Sequence, residues 1–212
     1  MLDTALVALT TTAALIFNLP HEKPKEVLAS HEISLKERTP GGGSMSDVMA
    51  DNILLTLAYL NNDELDPKNV NWSKVRENRT VEFSLMPNQA FAYHEGYLEE
   101  YKDKIVKTTN ARFSGDQGFK HDGYLMGDGV CHLASLIYWV ALDAKLDTKA
   151  PVNHDFMLIP GIDKKYGVSI YHMPGSDAVN AMQNLYIKNN LDSEVTFEFK
   201  KERDILRVNV IK

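Results

Sequence analysis

The end of the chain constrains the fold more than any other stretch. Two runs, EVTFEFK (194–200) and ILRVNVI (205–211), alternate apolar and polar side chains across a break at Glu202-Arg203-Asp204. A period of two marks a strand with one buried face, and the short polar break marks a hairpin. Val195, Phe197 and Phe199 are expected to share a face, as are Leu206, Val208 and Val210. Such a face must be covered by another layer.

The best cover lies behind GDG (127–129), where Leu133, Leu136, Ile137, Val140 and Ala141 recur at i, i+3, i+4, i+7 and i+8. This spacing predicts a core-facing helix from Cys131 to about Lys145. A second amphipathic helix is expected in SDVMADNILLTLAYL (46–60), with Val48, Met49, Asn52, Ile53, Thr56, Leu57 and Leu60 near one side. Ser46 or Asp47 suits its N-cap and Asn61-Asn62 its stop. TVEFSLM (80–86), QAFAYH (89–94), HDFMLI (154–159), GVSIYH (167–172) and NLYIK (184–188) have β character, and KIVKTTNARF (104–113) alternates moderately. The order strands, helix, strands predicts an α+β domain over 46–212, its antiparallel sheet packed against a central helix that starts at Cys131.

Residues 1–45 read differently. ALVALTTTAALIFNL (5–19) is uncharged and shorter than the roughly 20 apolar residues of a membrane span. It suits an export signal, a membrane anchor or a packed helix, so an extracytoplasmic or membrane-anchored location and a cytoplasmic one both stay open. The polar stretch to Ser44, broken by Pro24, Pro40 and Gly41 to Gly43, reads as an irregular linker. The net charge of −6, without a basic stripe, argues against nucleic acid as a partner.

Cys131 is the only cysteine, which excludes an intrachain disulfide. Placed just after a tight glycine turn, it sits in the first turn of its helix. There the free N–H groups and the macrodipole favour the thiolate, lowering a pKa of about 8.5 in the free amino acid. Backbone N–H groups from Gly129 through His132 and Leu133 suit an oxyanion hole. A cysteine nucleophile needs a base, and His154, expected at the start of the next strand, is the candidate, as in papain-like cysteine hydrolases. Asn190 is the candidate orienter, ahead of Asn189 and Asp155. The competing reading is that Cys131 is buried filler, since cysteine is among the most buried residue types. His132, about 100° round the helix from Cys131, reads as a capping or surface group. His94, His121, Cys131 and His154 lack HxxxH, HxH or CxxC spacing, so neither a metal site nor a cofactor is expected.

These stretches resemble the VanW-like family, associated with bacterial vancomycin-resistance clusters and cell envelopes. GDGVCHLASLIYWVAL resembles that family's run of three glycines, Val, Cys, Gln, a small polar segment and Leu-Tyr. LMPNQAFAYHE, MPGSDAV, LYIKNNLDSEV and DNILLTLAYL resemble its other ordered motifs, and His154 falls where the family has a His-Ser pair. The resemblance covers roughly residues 46 to 212 and makes GGGSM a native insertion. The chain departs from the pattern at Asp128, His132 and Asp155, and in the apparent insertion FMLIPGIDKKYG after His154. The resemblance implies an envelope setting and supplies no reaction.

Three readings follow. In the first, Cys131, His154 and Asn190 form a hydrolase or acyl transferase acting on peptidoglycan or a related peptide. In the second, a non-catalytic module binds cell-wall peptide or glycan, with Tyr93, Tyr124, Tyr138 and Trp139 as stacking groups. Core packing is the plainer account of those aromatics, above all of Trp139. In the third, the chain is an intracellular interaction domain with a structural Cys131.

Overall fold

The computed structural model describes residues 25–121 and 127–212. The apolar stretch 5–19 and Tyr124 lie outside the described residues. The fold is α+β with two four-stranded, mostly antiparallel sheets. The main sheet contains β1 (Val27–Ser34), β2 (Arg79–Leu85), β7 (Val195–Glu202) and β8 (Ile205–Ile211) in the order β1-β8-β7-β2. The smaller sheet contains β3 (Ala90–Ala92), β4 (Ile105–Lys107), β5 (Asp147–Lys149) and β6 (Tyr186–Lys188) in the order β4-β3-β6-β5, with β3 and β4 parallel.

The hairpin β7–β8 turns at Arg203-Asp204, and Val195, Phe197, Phe199, Leu206, Val208 and Val210 are all buried on its inner face. Phe83 of β2 stacks on Phe197 with ring centroids 4.9 Å apart and on Phe91 of β3 at the same separation. These contacts join the two sheets into one core. Helix α1 (Ser44–Leu60) and helix α3 (Val130–Asp143) pack on one another, and α3 lies across β1 and β8. Leu136, Ile137 and Val140 are buried as the periodicity requires. The two remaining α-helices among the described residues are short, α2 (Trp72–Val75) and α4 (Asp177–Met182). Among the described residues, no helix is long and apolar enough to cross a membrane.

Several local expectations are corrected. Val27–Ser34, read as irregular, is an edge strand, because its register comes from β8, far away in sequence. The runs either side of Pro87-Asn88 do contain strands, and these enter different sheets. Only Ile105–Lys107 of the run 104–113 is a strand. The stretches 154–159 and 167–172 form no strand. In the second of them, the Val168 and Ile170 N–H groups bond to Ser135 Oγ and Cys131 Sγ of α3 instead of a ladder. Helix α1 starts at Ser44, capped by neither Ser46 nor Asp47. Ser46 Oγ instead accepts from the backbone N–H groups of Arg38 (3.1 Å) and Thr39 (2.9 Å), tying the arm to the helix. Helix α3 ends before Lys145, whose φ of 62° is left-handed and stops the helix.

Candidate functional site

The start of α3 is built by close contact. Gly129 has φ 97°, and a Cβ there would stand 2.5 Å from the Met49 carbonyl oxygen of α1. Only glycine fits both the dihedral and the gap. Asn52, fully buried on α1, donates to the carbonyls of Lys120 (3.0 Å) and Asp128 (2.9 Å) and accepts from Lys120 N–H (2.9 Å). One amide thereby fixes the chain on both sides of residues 121–127. The sequence signal is a polar residue within an apolar helical stripe.

Beside this junction lies a cleft of about 600 Å³, lined among others by Cys131, His132, His154, Phe156, Tyr171 and His172. Its rim is apolar and open: Phe156 is 69% exposed, with Met157 and Tyr171 each 49% exposed. Arg112, Asp116 and Asp128 add charge to the wall.

Cys131 does sit in the first turn of α3, yet its thiol is not activated. Sγ donates to the Ile170 carbonyl (3.6 Å) and accepts from the Ile170 N–H (3.4 Å). Burial, reinforced by the Asp128 charge, pushes the thiol up to about 11, against the weaker opposing effect of the Ile170 N–H. The expected lowering by the helix N-terminus is outweighed by desolvation.

His154 lines the same cleft from a loop rather than a strand, and no hydrogen bond joins it to Cys131 among the described residues. Its Nδ1 meets the Met157 carbonyl at 3.2 Å, its ring lies 4.1 Å from that of Phe156, and burial lowers its pKa. His132 is buried, 3% exposed, and not a surface group. Its ring lies edge-on to that of His154 at 6.2 Å. Burial first, then the charges of Arg38 and His154, push it down to about 3.

The remaining expected site residues lie elsewhere. Asn190 is exposed, accepting from Asp147 N–H and donating to the Lys145 carbonyl. Asn189 is buried, donating to the carbonyls of Leu85 and Ser193 and accepting from Leu191 N–H. Neither touches His154, because both are used to hold the turns around β5, β6 and β7. Asp155 is exposed and stands 3.8 Å from Lys164. Tyr93 is fully buried, with its hydroxyl donating to the Val130 carbonyl at 2.9 Å, so it cannot offer a stacking face. Trp139 packs against the core and stacks between His31 (3.5 Å) and Tyr166 (5.1 Å), and Tyr138 also packs on the core. Leu133 is a core residue. His94 is fully buried between the Glu95 and Gln183 carbonyls, and no group of three or more His, Cys, Asp or Glu among the described residues is placed to hold a metal ion.

One residue of the site was missed by sequence reasoning: His172 lines the cleft and meets the His94 ring at 5.6 Å. Away from the cleft, Arg38, in the arm read as linker, is 2% exposed. Nothing local marks an arginine in a polar stretch as buried.

The model of the VanW like protein family matches residues 73–211, from α2 to the end of β8, so this chain belongs to that family. The resemblance seen at DNILLTLAYL lies outside the matched span. No curated protein and no solved structure matches the chain.

Proposed function

We propose that this chain is a binding module of the bacterial cell envelope, and that the cleft at the start of α3 receives a wall peptide or glycan. One observation carries this reading: a cleft of about 600 Å³ within the family domain has an exposed apolar rim, while its cysteine is bonded to main chain. Phe156 and Tyr171 replace Tyr93 as the stacking groups. The envelope setting rests on family membership, and an extracytoplasmic place fits residues 5–19 acting as a signal or anchor. A second reading, a papain-like hydrolase with Cys131 as nucleophile and His154 as base, is favoured by the presence of both residues on the cleft wall.

Soluble peptidoglycan fragments titrated into the full chain separate the two. The binding module gives saturable binding, weakened by Phe156→Ala and Tyr171→Ala and kept in Cys131→Ala. Its thiol alkylates with an inflection near 11, unmoved by His154→Ala. Fragment hydrolysis lost in Cys131→Ala, with an inflection well below ~8.5, would establish the hydrolase instead.

A further inference from the structure

We propose that the main chain at His172 is a peptide-binding strip: an extended peptide lies in the cleft and exchanges two backbone hydrogen bonds with this residue. The inference rests on the binding-module reading above and narrows its ligand from a wall peptide or glycan to the peptide.

Residues 168–173 send their N–H groups alternately to two sides. Ser169 donates to the Val152 carbonyl (3.0 Å), Tyr171 to the Gln183 carbonyl (3.2 Å) and Met173 to Asn180 Oδ1 (2.7 Å). Val168 and Ile170 donate the other way, to Ser135 Oγ (2.9 Å) and Cys131 Sγ (3.4 Å) of α3. A period of two is that of an extended chain, in which one residue's N–H and carbonyl point to the same side. The next residue in the row facing α3 is His172. There the helix has run out: its contacts step back from Ser135 to Cys131, and its first residue is Val130. Among the described residues, neither the N–H nor the carbonyl of His172 has a hydrogen-bond partner.

The kind of neighbour that fits is set two residues earlier. At Ile170 one group, the Cys131 thiol, accepts from the N–H and donates to the carbonyl (3.6 Å). In an antiparallel ladder such a double exchange recurs at every second residue, about 7 Å further along. His172 offers the next pair of groups. It is also held in place on both sides. Tyr171 is tied to Gln183, and the Met173 carbonyl accepts from Asn180 Nδ2 (3.1 Å) while its N–H donates back to the same side chain. A pair presented in this way spares the ligand the ordering cost of a mobile loop.

The strip opens on the cleft. Ile170, Tyr171 and His172 line it, and His172 is half-buried between Tyr171 and Met173, which are 49% and 39% exposed. Filling the pair takes one N–H and one carbonyl on a single residue, which every peptide residue other than proline carries. Strand addition of this kind draws affinity from main-chain bonds and specificity from alternate side chains. Phe156, Met157 and Tyr171 supply the apolar surface for those side chains. A sugar hydroxyl can meet either group singly but does not repeat at the spacing of a strand.

The test uses the nitrogen-labelled full chain with three probes: the tetrapeptide of soluble peptidoglycan fragments, its synthetic mono-N-methylated forms, and the peptide-free glycan. The tetrapeptide should bind, shift the His172 amide resonance and slow its hydrogen exchange. N-methylation at one position should weaken binding roughly tenfold, and at the adjacent position, whose N–H points away, by less than about twofold. His172→Pro removes the N–H and should weaken the peptide by about tenfold, with unliganded stability unchanged because that N–H has no partner. His172→Ala keeps the main chain and should keep binding. Equal losses in the two variants would assign the effect to the imidazole and overturn the strip. N-methylation harmless at every position would overturn it too, and leave the cleft reading standing. Glycan bound without the tetrapeptide would overturn the peptide assignment alone. Silence from both would overturn the inference and the cleft reading together. If His172→Pro fails to fold, the N-methyl series and His172→Ala decide.

Discussion

Cys131 and Ile170 hold one another in both directions: the thiol donates to the Ile170 carbonyl and accepts from its N–H. Four residues on, Ser135 Oγ donates to the Cys131 carbonyl (2.7 Å) and accepts from Val168 N–H (2.9 Å). One face of α3 thus takes the place of a neighbouring strand for residues 168–170. Cys131→Ala should leave the Ile170 amide unsatisfied and cost about 1–3 kcal/mol. Hydrogen exchange at Ile170 should accelerate with little change on the hairpin. Unaltered exchange there would show that the thiol holds nothing.

Gly129 should tolerate no side chain. Alanine would face the left-handed dihedral, at about 1–3 kcal/mol, and a contact of 2.5 Å with the Met49 carbonyl oxygen. A loss of about 3 kcal/mol or more in denaturant unfolding is expected, with α3 pushed away from α1. Near-neutral stability would mean the two helices are not packed this tightly.

The hairpin was legible in the sequence because both its strands and its turn are local and its alternation is strict. Helix α3 was legible for the same reason, to within a residue or two at either end. Strand β1 was not, since VLASHEIS becomes a strand only through β8. HDFMLI has β character in sequence but no strand partner in the fold, and Phe156, Met157 and Leu158 are exposed. At the site, the place of Cys131 in the first turn of α3 was readable from the glycine turn. The state of the thiol was not, because desolvation depends on what packs over it. Arg38 and Asn52 act through groups more than sixty residues away, and no spacing rule reaches that far.

Within the hairpin, Phe197→Ala should cost about 3–5 kcal/mol through the lost ring and the cavity left behind. The neighbouring Glu198 faces the other side of the sheet but is itself 8% exposed and bonded to Asn209 at 2.8 Å. Glu198→Gln keeps the shape and should cost about 1 kcal/mol. The contrast is smaller than strict alternation implies, and equal losses in thermal unfolding would reject the register.

Acid should weaken the fold through the cleft. His132 is pushed down to about 3 by burial and by Arg38, and burial also lowers His94 and His154. Between the ordinary value near 6.5 and about 3, the unfolded chain binds a proton that folded His132 does not. Stability therefore rises with pH across that window, is complete above the unfolded value, and is lost progressively as pH falls. One such proton contributes a slope of up to ~1.4 kcal/mol per pH unit. His132→Phe should remove that slope and leave the contributions of the other groups, so the gap between variant and wild type should shift in favour of the variant by about 2 kcal/mol from pH 7 to pH 5. Denaturant unfolding at the two pH values measures it directly. A constant gap would mean that His132 is solvated.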